Sequence, residues 1–321
     1  MKILVTGASG FVGRYVCKNL AAARHQVIAV VRSGGVAIEG ADVELIVPEL
    51  KELDSISDIL ATCDAVIHLA GRAHVLNDDS LDPLKEFRKI NVGLTASFAL
   101  SAAQSGVKRF IFVSSIGVNG NFTKNKPFTE DDTEAPHDLY AISKLEAENA
   151  LKHIAAEFDM QYVIVRPTLI FGPNAPGNFG LLLKLAERGI PLPFGALKAK
   201  RNLLSAWNFA DFLRVCVEFP GHLEETFLIA DQQSTNLNDI FRYLSEGMQK
   251  RQRLFWMPEA LLAIVCRLVG KKQTFDKLNS ELTVSTQRAI TKLSWTPPFT
   301  TQDGLIKTGK LYREEKNETN F

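Results

Sequence analysis

The chain has 321 residues, 46% of them hydrophobic and 23% charged, with a formal net charge of +1. That is the composition of a soluble, foldable protein with a large core, and its length predicts one main domain with a smaller lobe. The near-neutral charge excludes a global basic field of the kind that gathers nucleic acid or an anionic membrane, and leaves room for small anionic ligands, which need only local cations.

In chain order, short apolar runs alternate with helical patterns. A strand at Ile3–Val5 runs into T-G-A-S-G-F-V-G at residues 6–13 and then a helix over Val12–Ala22. Gly7, Gly10 and Gly13 stand in G-x-x-G-x-x-G spacing. Glycine is needed where a chain turns tightly, brings backbone N–H groups against a pyrophosphate and packs a helix closely on a strand. The helix start, at Phe11 and Val12, adds partial positive charge. A dinucleotide loop is the expectation, since the pattern follows a strand and opens a helix. Further strands are predicted at Val27–Val31, Val43–Val47, Ala65–Leu69, Phe110–Val113 and Tyr162–Val165. Helices are predicted over Leu84–Ala103 and over Ser143–Phe158, where Leu145, Leu151, Ile154, Ala155 and Phe158 recur near helical period. This alternation predicts an α/β fold, a Rossmann-like doubly wound parallel sheet with right-handed crossovers.

After Pro167 prolines and glycines cluster, in T-L-I-F-G-P-N-A-P-G-N-F-G and G-I-P-L-P-F-G, and the regular alternation stops. The expected division is a dinucleotide-binding domain over 1–172, with returning segments near 203–232 such as Thr226–Ala230. A smaller α/β substrate lobe takes 173–202 and 233–313, and a polar tail over 314–321 frays. The longest apolar helix candidate, Ala260–Val269, is far short of the ~20 residues of a membrane span. The N-terminus lacks the apolar length of a secretory signal. Cys17, Cys63, Cys216 and Cys266 are scattered, with no C-x-x-C. They suggest neither a metal site nor a disulfide framework, and fit thiols in a reducing compartment. A cytoplasmic protein without membrane insertion or nucleic-acid partner is expected.

Y-A-I-S-K places Tyr140 and Lys144 four residues apart at the start of a helical pattern, so both side chains point the same way. Ser115 stands just beyond the fifth strand, at the carboxyl edge where ligands sit in a parallel α/β sheet. A phenol with an ordinary pKa near ~10 is a poor base at neutral pH, and a neighbouring ammonium is expected to lower that value. Tyr140 would then exchange a proton with a substrate oxygen that Ser115 holds, while a nicotinamide cofactor exchanges a hydride with the attached carbon.

These motifs, with H-L-A-G at 68–71, Asn91 in N-V-G-L-T, S-S-I-G-V-N-G, R-P-T-L-I-F-G-P and the late L-S-W-T-P-P-F, resemble the extended short-chain dehydrogenases/reductases. Within them the chain is similar, over nearly its whole length, to the NAD-dependent epimerase/dehydratase group acting on nucleotide sugars. The resemblance implies Ser115, Tyr140 and Lys144 as the catalytic set, with Lys144 also on the nicotinamide ribose. It implies that Leu69, Ala70, Gly71, Asn91 and Pro167 line the cofactor, and that homodimers form through two helices of each subunit. The chain departs from the family at Asn119 and Leu94. V-P-E-L at 47–50 stands where G-D-L is common, which leaves that aspartate's adenine contact open.

The 4,6-dehydratases of this group carry Asp-Glu directly after the catalytic serine or threonine; Ile116-Gly117 stand there instead, so dehydration is not expected. A 4-keto reductase and a 4-epimerase remain. Arg32 and Ser33 occupy the end of the second strand, where an acidic residue would hold the ribose hydroxyls of NAD. They suit a 2′-phosphate, with help from Arg14, so NADP(H) is favoured over NAD(H), and reduction over epimerisation. Resemblance to an epimerase-like subgroup from O-antigen gene sets implies a UDP-4-keto-6-deoxy-hexose of the UDP-N-acetyl-quinovosamine type as substrate. It also implies that Asn178 and Arg201 contact the nucleotide diphosphate. Lys198, Lys200, Lys277, His74, Phe194 and Gly195 are weaker substrate-side candidates. The alternatives are a UDP-glucose or UDP-N-acetylglucosamine 4-epimerase with bound NAD, and a non-catalytic NADP-binding redox sensor.

Overall fold

Successive residues of a strand face opposite sides of its sheet, and in this chain both sides are apolar. Ile3, Val5, Val27, Ala29, Val31, Ala65 and Ile67 point into one buried cluster with Val16, Leu20, Phe209 and Leu213. Leu4, Ile28, Val30, Val66, Phe110 and Phe112 point into another with Phe98, Ala102, Ala147 and Leu151. A sheet buried on both faces is what parallel strands with helical crossovers produce.

The computed structural model describes residues 1–35, 37–48, 56–72, 82–268, 270 and 272–319. Its elements are β1 (Lys2–Thr6), α1 (Phe11–Ala22), β2 (Gln26–Val31), β3 (Val43–Ile46), α2 (Ser57–Leu60), β4 (Ala65–His68), α3 (Pro83–Phe87), α4 (Leu94–Gln104), β5 (Arg109–Val113), α5 (Leu139–Phe158), β6 (Gln161–Pro167), β7 (Leu169–Phe171), α6 (Gly177–Arg188), β8 (Leu203–Ser205), α7 (Ala206–Glu218), β9 (Glu225–Ile229), α8 (Leu237–Gly247), α9 (Glu259–Leu268), α10 (Lys272–Leu278), α11 (Gln287–Leu293) and α12 (Thr301–Thr319). The main sheet has the order β3-β2-β1-β4-β5-β6-β9, with every pair parallel. β1 pairs with β2 on one side and β4 on the other, so the winding reverses there. That reversal opens a crevice at the carboxyl edge.

All six expected strands lie in this sheet, and the returning segment near Thr226–Ala230 supplies the seventh as β9. The helix expected over Leu84–Ala103 is interrupted: α3 and α4 flank a π-helical stretch, Arg88–Gly93. The helix expected from Ser143 begins at Leu139, because the Asp138 carboxylate caps it by accepting from the Ala141 N–H at 2.7 Å. A third cluster, with Phe179, Leu183, Ile240, Leu244, Leu262, Phe275 and Leu305, sits among α6, α8, α9, α10 and α12. The expectation of a fraying tail needs correction, since α12 stays helical through Thr319. Leu305 and Thr308 near its start are buried, and Lys310 and Glu314 pair at 4.0 Å one turn apart, which supports a solvated helix.

Asp231 follows β9 and ties this edge together. It is fully buried; its Oδ1 accepts from the Ser205 N–H at 3.1 Å and Asn208 Nδ2 at 2.7 Å, while Oδ2 has no partner. Burial raises its carboxyl to about 7. A carboxyl raised in the folded state favours folding at low pH, and that contribution is lost as pH rises from about 4 through about 7. Asp231→Asn is expected to raise the melting temperature at pH 8 and to flatten the stability profile between those limits. The shift sets a ceiling of about 4 kcal/mol on the gain, and thermal unfolding across pH measures it.

Candidate active site

The loop from β1 to α1 is held shut by its own backbone. Gly7 has φ +68°, and a Cβ there would come 2.9 Å from the Ala70 nitrogen. A Cβ on Gly13 would lie 2.3 Å from the Gly7 carbonyl oxygen, so α1 sits directly on the turn. The Gly10 N–H donates to the Gly7 carbonyl at 3.0 Å, and no side chain caps the helix start. Phe11 and Val12 are half-buried at its first turn. The Arg14 Nε donates to the Ser9 carbonyl at 3.2 Å.

Beneath the loop runs a buried polar chain that the sequence did not announce. His68 bridges Thr6 Oγ1 at 2.8 Å and Thr95 Oγ1 at 3.1 Å, and the Ala70 N–H donates to Thr6 Oγ1 at 3.2 Å. Full burial and the nearby Lys144 lower the imidazole to about 3, so it is neutral and fixes the segment Leu69–Gly71 without adding charge. Asn91, buried in the π-helical stretch, accepts from the Arg72 N–H at 2.8 Å and donates to the Arg72 carbonyl and to Ser143 Oγ. Gly71 is open; a Cβ there would come within 3.1 Å of Asn91 Oδ1 and 3.3 Å of Lys144 Nζ.

α5 brings Tyr140 and Lys144 to the same edge. Lys144 Nζ donates to the Val113 carbonyl at 2.9 Å, two residues before Ser115, and lies 4.5 Å from the Phe112 ring centre and 5.9 Å from that of Tyr140. Burial lowers its amine to about 8, against an opposing pull from Glu148. Ser115 Oγ accepts from the Gly117 N–H at 3.1 Å. A Cβ on Gly117 would lie 3.3 Å from Ser115 Oγ and 3.4 Å from Ala141 Cβ, so the serine and the start of α5 crowd one point. Burial, then the Asp138 carboxylate, push the Tyr140 phenol above its ordinary value, against the lowering expected from a neighbouring ammonium.

A buried network backs this edge. Arg166 and Glu148 are almost wholly buried and joined by two bonds, Nε to Oε1 at 3.0 Å and Nη2 to Oε2 at 2.6 Å. Arg166 also donates to Asn119 Oδ1 at 3.0 Å and Glu134 Oε1 at 3.1 Å, and Ser114 Oγ donates to Glu148 Oε1. Glu148 lies one turn beyond Lys144, so its place on the same face was readable. Its partner on β6 was not.

Other predicted residues are dispersed or committed. Arg32 and Ser33 are exposed beyond β2, and Pro167 is buried at the end of β6. Asn178 is exposed in the first turn of α6. Arg201 is engaged: its guanidinium donates to the Ser280 carbonyl at 3.1 Å, to Ser280 Oγ at 2.8 Å and to the Lys277 carbonyl. Lys198, Lys200 and Lys277 are exposed. Phe194 stacks on Phe241, and Gly195 is bonded to Phe255. His74 falls outside the described residues. A missed pair, His137 and Asp138, joined at 3.2 Å, lies beside Gly117.

A dinucleotide fits this turn, because Gly7 and Gly13 let the loop and α1 pack backbone to backbone, and the start of α1 has no side-chain cap. The family model "NAD dependent epimerase/dehydratase family" matches residues 3–230. A Vibrio cholerae UDP-glucose 4-epimerase is 35% identical over 98% of this chain and 96% of its own length. An N-acetyl-α-D-glucosaminyl-diphospho-ditrans,octacis-undecaprenol 4-epimerase from Escherichia coli O157:H7 is 25% identical, covering 95% and 93%. The Thermotoga maritima UDP-glucose 4-epimerase, solved with UDP-glucose, superposes with a TM-score of 0.78 at 22% identity, over 98% of this chain and 100% of that one.

Two substitutions test the geometry. Gly13→Ala forces the helix off the turn, and is expected to weaken NADPH or NADH binding by about a hundredfold, near 2.7 kcal/mol, in a fluorescence titration. Glu148→Gln removes the nearby carboxylate whose charge raises the Lys144 amine, so that amine should titrate below about 8 in an ¹⁵N-detected lysine titration. The same change leaves Arg166 underpaired and should cost about 3 kcal/mol in denaturant unfolding.

Proposed function

Because this chain belongs to the NAD dependent epimerase/dehydratase family, we propose that it carries out oxidoreduction at C4 of a UDP-linked hexose. The single observation that supports this reading is that Lys144, bonded to the Val113 carbonyl, faces Gly71 while the Ser115 turn meets the start of α5, at the carboxyl edge of the paired β1 and β4. A bound nicotinamide dinucleotide would supply or accept the hydride. Ser115 Oγ holds the C4 oxygen, and Tyr140 passes a proton to or from it. Lys144, fixed on the Val113 carbonyl, orients the ribose and stabilises charge on the phenol oxygen. His68 and Asn91 hold the loop that faces the ring.

Of the two outcomes, our reading is reduction of a UDP-4-keto-6-deoxy-hexose with NADPH, and what supports it is the pair at the end of β2. Arg32 and Ser33 are exposed where a carboxylate would repel a 2′-phosphate, and a guanidinium with a hydroxyl beside it attracts one. The second reading, 4-epimerisation, is favoured by the names of the relatives.

The assay offers purified protein UDP-glucose, UDP-N-acetylglucosamine and a UDP-4-keto-6-deoxy-hexose, with NADPH or NADH. Stoichiometric loss of NADPH with the keto sugar alone is the expected result. Interconversion of epimers without net cofactor consumption establishes the second reading instead. Tyr140→Phe should lower turnover about a thousandfold while cofactor titration stays as in the wild type. A variant that retains full function overturns the catalytic assignment and leaves a cofactor-binding sensor.

A further inference from the structure

A helix with apolar residues on both faces is normally buried, and α9 carries them from Ala260 to Cys266 without being so. Leu262, Ala263 and Cys266 turn inward onto the third cluster, which includes Phe275 of α10. On the opposite side, at i, i+3, i+4 and i+7 spacing, Leu261, Ile264, Val265 and Leu268 are 48%, 56%, 42% and 82% exposed. Just ahead of the helix Trp256 is 71% and Phe255 44% exposed. These two are held in place: the Phe255 N–H donates to the Leu192 carbonyl at 3.0 Å, and the Gly195 N–H donates to the Phe255 carbonyl at 3.1 Å. A contiguous patch of this kind marks an interaction surface rather than scattered exposure.

The charges around the patch say what it meets. Arg251 and Arg253 precede the aromatic pair, Arg267 lies on the helix and Lys272 follows it; all are exposed. Lys272 is paired with Asp276 at 2.7 Å, while among the described residues no carboxylate is bonded to the three arginines. The one acid on the helix, Glu259, accepts from Asn279. A chain of net charge +1 therefore places several cations along the sequence around this exposed apolar helix. Arginines framing a stripe of leucine and isoleucine, with a tryptophan at its border, are the features of a helix lying in a lipid–water interface.

We propose that α9, with Phe255 and Trp256, docks the protein peripherally on an anionic phospholipid bilayer, its outward stripe among the acyl chains and its arginines at the lipid phosphates. The short helix lies along the interface and does not span it, since no helix of the described residues is long and apolar enough to cross a membrane. The surface belongs to the C-terminal lobe and does not depend on which C4 reaction the cleft performs.

Co-sedimentation of the full chain with vesicles tests this. Vesicles of phosphatidylcholine with about 30% phosphatidylglycerol should bind it, pure phosphatidylcholine vesicles should not, and binding should weaken between about 0.05 and 0.5 M salt. The double variant Ile264→Glu, Leu268→Glu should lose binding at least about tenfold with its circular dichroism unchanged. If it fails to fold, the triple variant Arg251→Gln, Arg253→Gln, Arg267→Gln carries the test and should lose binding and its salt dependence together. Absence of wild-type binding to the anionic vesicles, or variants that bind as the wild type does, overturns the proposal. A dimer in analytical ultracentrifugation that the double variant splits, with no vesicle binding by the wild type, gives the face to a second copy of the chain and overturns it equally.

Discussion

The bidentate contact between Arg166 and Glu148 holds the reactive edge in register. Both ions are removed from water, which is costly by itself, and the cost is offset only by the geometry of the bonds around them. Those bonds reach three other places: Ser114 beside Ser115, Asn119 at the end of the following turn, and Glu134 in the approach to α5. The pair therefore joins β6, the end of β5 and α5. Tyr140 and Lys144 stand on that same helix, so a slip of α5 along the sheet that misplaced the phenol would also break the ion pair. Packing alone specifies such a register less sharply, because apolar contacts have no direction. The contact also reaches the chemistry electrically, since Glu148 opposes the fall of the Lys144 amine that burial causes.

The cofactor half was legible because its constraints are local. Gly7, Gly10 and Gly13 are spaced by the turn they make, and Tyr140 and Lys144 by one turn of helix. The strands announced themselves as apolar runs of the right length between turns. Asp138 could have moved the start of α5 back to Leu139, since an aspartate ahead of a helical pattern is a capping signal.

What escaped depends on partners far apart in the chain. Arg201 reads as a free guanidinium among lysines, yet its donors are spent on Lys277 and Ser280, some 76 to 79 residues away. Thr6, His68 and Thr95 form a buried relay from three separate elements. The phenol of Tyr140 was expected to fall in pKa because a lysine lies one turn away. Burial and Asp138 act in the other direction, and the lysine is turned onto the Val113 carbonyl. Burial is a property of the assembled fold and cannot be read from a spacing. The polar C-terminal stretch looked unstructured for a similar reason: its anchors, Leu305 and Thr308, lie at the front of α12.

The wide turn at Arg88–Gly93 carries a consequence of its own. A π-helical turn holds more residues than an α-helical one, so it works as a spacer that lets α3 and α4 each keep their packing while Asn91 swings inward. Excising one residue there would restore about 3.6 residues per turn and rotate everything downstream by about 100°, carrying the amide away from Arg72 and Ser143. In this short stretch the number of residues, as much as their type, sets where the amide points.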